Sequence, residues 1–218
     1  MDWHEWHRDY DDPNSRLSRR LVMVREEIAA ALERLPDRPW SVISMCVGDG
    51  RDLLGVLAGH PRAADASGLL VELDPDLAAA GRAAYASAGL DGIEIRTGDA
   101  GDAKQYDGRR ADLLLVCGVF GNLSEANVIE MAGRLPGLCE PAATMIWTRH
   151  REPPDLTVPL RAALEEAGFT ELAFRPVEDS WGTVGVVRYD GPVVEFDPTR
   201  QLFTFRADRT QTWKHAPT

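Results

Sequence analysis

The sequence predicts an α/β protein of three layers, in which helices cover both faces of a doubly wound, mostly parallel sheet. Short apolar runs alternate along the chain with segments of helical periodicity. Several of these runs are apolar throughout, as expected of parallel strands that are buried on both faces. The last two runs have no helix between them, which predicts an antiparallel last strand in a seven-stranded sheet.

The chain before the first strand is predicted to hold an aromatic segment and an amphipathic helix. Residues 1–14 contain Trp, His and Tyr among acidic residues, unlike disordered tails, which are poor in aromatic residues. Asp12-Pro13 predicts the helix start, with an N-cap followed by proline at the first helical position. We therefore expect residues 1–36 to cap the active site and residues 37–218 to form the α/β domain.

Strands and helices follow in alternation from the first apolar run. The predicted strands cover about 42–47, 67–73, 93–96, 112–117, 144–148, 169–176 and 184–189. The predicted helices cover about 51–59, 75–88, 124–135 and 155–166, and glycines or prolines separate the elements.

Composition limits the function. The 218 residues are 44% hydrophobic, enough for one domain with a full core. A net charge of −11 disfavours nucleic acid as a partner, and the apolar runs are too short to predict a membrane span. The three cysteines show no C-x-x-C spacing, and we expect free thiols, no signal peptide and a cytoplasmic location. The partner is expected to be a small-molecule substrate, with a homodimer left open.

The glycine turn Gly48-Asp49-Gly50 separates the first strand from its helix. Such a turn brings backbone amides at a helix start close to a ligand, because glycine has no Cβ. Ligands of open α/β sheets bind at the carboxyl ends of the strands. Glu72 ends the second strand, Asp99 follows the third, and Cys117-Gly118 ends the fourth.

These motifs resemble those of class I S-adenosylmethionine-dependent methyltransferases over about residues 40–190. M-C-V-G-D-G-R-D matches the glycine motif, V-E-L-D-P the ribose acid and G-D-A the adenine contact. The resemblance implies a Rossmann-like methyltransferase fold that binds S-adenosyl-L-methionine and releases S-adenosyl-L-homocysteine. It also implies an enzyme that transfers the methyl group directly and in line. Together with the acidic composition, we expect a small metabolite as acceptor, methylated at oxygen or nitrogen, although the sequence does not distinguish these from carbon.

The same resemblance implies the cofactor contacts. Glu72 would bind the ribose hydroxyls, with Asp74 as second choice, and Asp99 would bind the adenine amine. The other implied cofactor-binding residues are Cys46, Gly48, Asp49, Gly50, Leu73, Ala100, Cys117 and Gly118.

Two positions depart from the motif of the family. Cys46 stands where the family usually has an acid for the ammonium of the cofactor, and Asp52 stands where a third glycine is usual. Asp49 or Asp52 is the candidate replacement for the missing acid.

Catalytic and substrate-binding residues are expected near the same edge of the sheet. His150, His4 and His7 are candidate general bases, and each has a structural alternative, as a surface or tail residue. Trp3, Trp6 and Tyr10 would form a lid over the substrate. Phe120 and Asn122 are candidate substrate contacts, although Asn122 could instead cap a helix. Arg149 could bind a substrate carboxylate or could be solvated surface charge.

Two other functions stay open at this level. A nicotinamide or flavin dinucleotide enzyme would need a third glycine, which the turn lacks. A cofactor-binding protein without catalysis is the other alternative. No cluster of residues has metal-ligand spacing, so no metal is expected.

Overall fold

The computed structural model describes residues 9–178 and 180–206. These residues form a seven-stranded sheet in the order β3-β2-β1-β4-β5-β7-β6. Strand β7 runs antiparallel to both of its neighbours, and the other pairs are parallel. The strands are β1 Trp40–Met45, β2 Ala66–Glu72, β3 Ile93–Thr97, β4 Ala111–Val116, β5 Cys139–His150, β6 Phe169–Pro176 and β7 Gly182–Tyr189. The predicted fold class and antiparallel last strand are confirmed.

Five α-helices of the described chain complete the three layers. They are α1 Arg16–Arg34, α2 Arg51–Leu57, α3 Pro75–Ser87, α4 Glu125–Arg134 and α5 Thr157–Glu166. Helices α1, α2 and α3 pack on one face of the sheet, around Ile28, Leu53 and Leu70. Helices α4 and α5 cover the other face, around Met131 and Leu160.

The start of helix α1 differs from the prediction. The helix begins at Arg16, and its N-cap is Ser15, whose side chain accepts a hydrogen bond from the amide of Ser18. Asp12 instead holds a turn before the helix, because its carboxylate accepts from the amide of Asn14 at 2.9 Å. Aspartate followed by proline is common both at helix N-caps and in turns. The predicted N-cap at Asp12 is therefore wrong, because Asp12 lies in a turn.

Strand β5 is longer than predicted and carries a buried tryptophan, Trp147. Trp147 is fully buried and contacts the ring of Phe120 edge-on, with centroids 6.1 Å apart. It pairs across the sheet with Gly185 of β7. A Cβ at Gly185 would lie 2.1 Å from Trp147 Cε2, so this cross-strand pair needs glycine.

Residues 201–206 form a segment that packs across the carboxyl end of the sheet. Leu202 donates a backbone hydrogen bond to the carbonyl of Gly101, and the amide of Arg206 donates to the carbonyl of Asn122. Leu202 and Phe203 are each 2% exposed. The segment therefore ties the loop after β3 to the loop after β4.

Candidate functional site

A cavity opens at the carboxyl ends of β1, β2 and β4, where the sequence predicted a ligand site. The glycine turn forms its floor. Its lining includes Tyr10, Arg20, Cys46, Val47, Gly48, Asp49, Asp52, Glu72, Leu73, Leu77, Cys117, Gly118 and Phe205. Eight of the cofactor-binding residues implied by the resemblance are thus near the cavity, since Gly50 lies in the same turn.

The backbone of the glycine turn adopts a left-handed conformation at both glycines. Gly48 and Gly50 have φ values of 61° and 76°, which L-residues with side chains rarely adopt. The Tyr85 hydroxyl donates to the carbonyl of Gly50 at 3.0 Å. A Cβ at Gly50 would lie 2.7 Å from Tyr85 Cε2. The turn therefore packs tightly on α3 and presents the start of helix α2 to the cavity.

Glu72 places a buried carboxylate at the edge of the cavity. Its Oε2 accepts from the amide of Gly48 at 2.6 Å, and its Oε1 accepts from the amide of Asp74 at 2.9 Å. A carboxylate oxygen can accept more than one hydrogen bond, so these amides do not exclude a ligand hydroxyl. The side chain of Asp74 caps helix α3 by accepting from the amides of Asp76 and Leu77. Asp74 is therefore a capping residue, which disfavours it as the second choice for ribose.

Cys46 brings strain and a neutral group to the position usually held by an acid. Its φ is 54°, although it has a Cβ, and such strain is typical of functional sites. Burial raises the pKa of the Cys46 thiol well above its ordinary value, and the charge of Glu72 adds to this effect. The thiol is therefore protonated at neutral pH and supplies no charge for an ammonium group.

Asp49 and Asp52 have different environments. Both carboxylate oxygens of Asp49 accept from the guanidinium of Arg51, at 2.6–2.9 Å. Asp52 is half-buried in the first turn of α2 and accepts from the amide of Leu53. Burial raises the pKa of Asp52 above its ordinary value, because desolvation outweighs the backbone hydrogen bonds. Of the two, Asp52 gains more from a cationic ligand group.

The structure does not place Asp99 and Ala100 in the lining of the cavity. Asp99 Oδ1 accepts from the amide of Gly101 at 2.8 Å, and Ala100 is 3% exposed. Residues 201–206 lie beside this loop and extend Phe205 into the cavity lining. Phe205 therefore lines this side of the cavity, whereas Asp99 and Ala100 do not, and no sequence motif indicated Phe205.

Tyr10 lies over the cavity from the N-terminal side. Its hydroxyl accepts from Arg20 Nη2 at 3.0 Å, and Arg51 lies 4.8 Å from the centre of its ring. Burial raises the pKa of Tyr10, and the phenol stays protonated. The other predicted lid and base residues before it, Trp3, His4, Trp6 and His7, lie outside the described residues.

A second cavity of about 250 Å³ adjoins the first, and Arg20 and Gly118 line both. Its other lining residues are Arg16, Leu17, Gly121, Asn122, Thr148, Arg149, His150, Glu152, Ser180, Trp181 and Gly182. The predicted residues His150, Asn122 and Arg149 therefore come together. The predicted substrate contact Phe120 does not, because it is fully buried against Trp147.

The roles of the polar side chains in the second cavity differ from several expectations. Asn122 Nδ2 donates to the carbonyl of Gly118 at 2.7 Å, while Ser124 caps helix α4, so the capping alternative for Asn122 is wrong. His150 Nε2 lies 3.2 Å from the carbonyl of Gly121. Arg149 is only 5% exposed, so it is not solvated surface charge.

Arg16, Arg20 and Trp181 are among the lining residues that the sequence did not indicate. Arg16 and Arg20 lie one turn apart on helix α1, where arginines usually indicate a solvated face. Trp181, 52% exposed, follows a loop without a motif. The four-residue spacing of Arg16 and Arg20 was the only sequence feature that could have indicated that they share one face of the helix.

The described residues contain no group of three or more His, Cys, Asp or Glu side chains that could hold a metal ion. None of their helices is long and apolar enough to cross a membrane.

Solved structures with the same fold include two methyltransferases. The O-methyltransferase family protein from Burkholderia thailandensis is 20% identical, with a TM-score of 0.59 over 84% of this chain and 62% of that one. The CurJ carbon methyltransferase is 14% identical, with a TM-score of 0.61 over 78% of this chain and 54% of that one. This chain thus spans less than two thirds of either protein.

A further structure with this fold is the [4+2]-cyclase SpnF, which is 13% identical. Its TM-score is 0.58 over 77% of this chain and 82% of that one. No protein-family profile and no curated sequence matches the chain.

The sheet order, the antiparallel β7 and these neighbours define the class. The chain has the class I S-adenosylmethionine-dependent methyltransferase fold. Because a cyclase shares the fold, the fold does not define the reaction, which depends on the residues of the site.

Proposed function

We propose that the protein is a methyltransferase that transfers a methyl group from S-adenosylmethionine to a small metabolite. One observation carries this proposal: a glycine turn, a buried carboxylate and a desolvated acid line one cavity at the carboxyl ends of β1 and β2. The cavity continues into a second space that can hold an acceptor. A dinucleotide oxidoreductase is the disfavoured alternative. The sheet of such an enzyme is parallel at this edge, whereas here the antiparallel β7 lies between β5 and β6.

The residues of the first cavity fit the cofactor group by group. The carboxylate of Glu72 can accept from ribose hydroxyls while it keeps its backbone partners. Asp52 would bind the ammonium, in place of an acid at Cys46. Leu73, 42% exposed, and Phe205 present apolar surface for the adenine ring.

When bound, S-adenosylmethionine supplies a methyl group on a sulfonium, which an acceptor oxygen or nitrogen attacks. The protein holds the acceptor in the second cavity, so that proximity supplies much of the rate. Asn122 and His150 are polar groups of that cavity. We propose His150 as the residue that takes the acceptor proton, by analogy with general bases elsewhere. The free cysteines of the described chain agree with a cytoplasmic enzyme.

Calorimetric titration tests cofactor binding. We expect S-adenosylhomocysteine to bind and NAD not to bind. Glu72→Gln should weaken S-adenosylhomocysteine binding by roughly tenfold or more, because a charge-assisted hydrogen bond to a ligand is lost. Glu33→Gln, the same change at an exposed position of α1, should leave the affinity unchanged.

Glu72 also holds two backbone amides, so its variant needs a partner that preserves the fold. Leu73→Asn removes apolar surface from an exposed lining residue and should lower the affinity about threefold to tenfold without loss of thermal stability. Tight binding of NAD, or S-adenosylhomocysteine binding unchanged in both folded variants, would contradict the proposal. Binding without methyl transfer to any acceptor would instead identify a non-catalytic protein.

A further inference from the structure

The second cavity has a charge opposite to that of the whole protein. Three arginines line it, Arg16, Arg20 and Arg149, against a single carboxylate, Glu152. The protein as a whole carries a net charge of −11. A concentration of positive charge in one concave site of an acidic protein favours anions there, because the cavity walls limit solvent screening.

Arg149 is the buried member of this group. It is 5% exposed, its Nη1 donates to the carbonyl of Phe120, and its Nε has no hydrogen-bond partner among the described residues. Burial lowers the pKa of Arg149, an effect that the charge of Asp155 opposes and that of Arg206 reinforces. A guanidinium that is desolvated without full pairing is stabilised by an added anion.

The nearby carboxylates do not neutralise this charge fully. Asp155 is exposed, and its Oδ1 accepts from both the amide and the hydroxyl of Thr157. The side chain of Glu152 is 56% exposed and lies 3.9 Å from His150 Nδ1. Both carboxylates therefore face solvent, whereas Arg149 is buried and lines the cavity.

The cavity also limits the size and shape of what it can hold. Its volume is about 250 Å³, and Trp181 presents a large apolar surface at its rim, 52% exposed. A small molecule with a planar or apolar body fits these walls.

We propose that this cavity binds a small organic anion, whose carboxylate or phosphate group pairs with Arg149 and Arg16 while its body lies against Trp181. The identification of this anion as the methyl acceptor rests on the proposed function, since Gly118 and Arg20 line both cavities. Planar oxyanions match the bidentate geometry of guanidinium groups.

Calorimetry with simple probes tests the proposal. Benzoate, benzamide and inorganic phosphate are titrated into the protein, each with and without saturating S-adenosylhomocysteine. We expect saturable benzoate binding at least tenfold tighter than benzamide binding, since the two differ in charge at nearly constant shape. Phosphate binding tighter than benzoate binding would assign a phosphorylated acceptor, and the reverse order a carboxylic acid.

Three arginine variants locate the site. Arg149→Gln should lower benzoate affinity at least tenfold, and Arg16→Gln, at an exposed position, about threefold. Arg34→Gln, the matched change at the other end of α1, should leave the affinity within twofold of the parent protein. Arg16→Gln also keeps the test valid if the buried Arg149 variant fails to fold.

Equal affinity for benzamide, absence of benzoate and phosphate binding, or unchanged affinity in both cavity variants would each overturn the proposal. The cofactor arm separates this result from the proposed function. Benzoate binding without S-adenosylhomocysteine binding would leave the anion site standing and reject the methyltransferase. The opposite result would retain the methyltransferase and reject an anionic acceptor.

Discussion

At the scale of single residues, the two departures from the motif place a neutral thiol and a carboxylate in the same cavity. Cys46 holds a neutral thiol at the usual position of an acid, and Asp52 brings a carboxylate to the same cavity from helix α2. Asp49, the other candidate, is already paired with Arg51. The sequence identified all three positions, but only the contacts distinguish Asp52 from Asp49.

Asp52→Asn should weaken S-adenosylhomocysteine binding and leave the fold equally or more stable. Loss of a charged acceptor for the ligand ammonium predicts a drop in affinity of roughly tenfold or more. Folding raises the pKa of Asp52, so ionisation of this carboxyl lowers stability at neutral pH, and the loss disappears when the carboxyl is protonated at low pH. The variant should therefore unfold at the same temperature or up to about 4 °C higher.

Asp49→Asn is the matched control for that measurement and should change the affinity less than threefold. When the pH of the parent protein is lowered, Asp52 takes up a proton at a pH above the ordinary aspartate pKa of 3.8. The affinity for S-adenosylhomocysteine should begin to decrease there. Equal loss of affinity in both variants would contradict the assignment to Asp52.

At the scale of elements, the predictions succeeded where burial produces a repeating pattern. Parallel strands such as β4 are buried along their whole length, so their apolar runs are evident in the sequence. Residues 201–206 form no regular strand or helix, and the backbone hydrogen bonds of Leu202 and Arg206 go to different loops. Their place beside the cavity, and the contribution of Phe205, could not be predicted from local pattern.

The pairing of β5 with β7 depends on the absence of a side chain at Gly185. Gly185→Ala should lower the free energy of unfolding by about 1–3 kcal/mol, because the added methyl overlaps the indole of Trp147. Thermal unfolding followed by circular dichroism measures the effect as a drop of several degrees.

Gly133→Ala supplies the comparison, since Gly133 lies in helix α4 and an added Cβ there would meet open space. This change should raise stability by about 0.5–1 kcal/mol, through a lower conformational entropy of the unfolded chain. A Gly185→Ala protein as stable as the parent would show that Trp147 can move aside.

At the scale of the whole molecule, ion pairs oppose the repulsion of an acidic protein. Burial disfavours ionisation of Glu94, but hydrogen bonds from Arg96 and Arg109 outweigh it and lower its pKa. A hydrogen bond from Arg188 lowers the pKa of Asp190. These pairs lie at the surface, so each contributes little alone. Composition predicted the net charge, but it could not predict which carboxylates are paired.

Stability should therefore depend on pH in two stages. As the pH is lowered from 7 towards the pI of about 4.9, the negative net charge becomes smaller and its repulsion weakens. The unfolding temperature should therefore stay constant or rise slightly over this range. Below the ordinary values of 4.5 for Glu and 3.8 for Asp, the lowered pKa values make the unfolded state bind more protons, so stability falls with pH.

Thermal unfolding across pH 3–7 measures this dependence. Glu94→Gln should make the acid limb shallower, whereas Glu33→Gln, whose side chain is exposed on α1, should not. Constant or rising stability from pH 4.5 to pH 3 in the parent protein would contradict the predicted role of the ion pairs.

The order of the last two strands has a consequence for synthesis on the ribosome. Strand β6 leaves the exit tunnel before β7, yet among the strands of the described residues it pairs with β7 alone. Until residues 182–189 emerge, the nascent sheet can extend no further than β5, whose outer edge stays open. The strand ends around the glycine turn can thus assemble early, whereas the wall of the second cavity at Trp181 and Gly182 can form only after β7 has docked. Cotranslational folding would build the floor of the first cavity before the wall of the second.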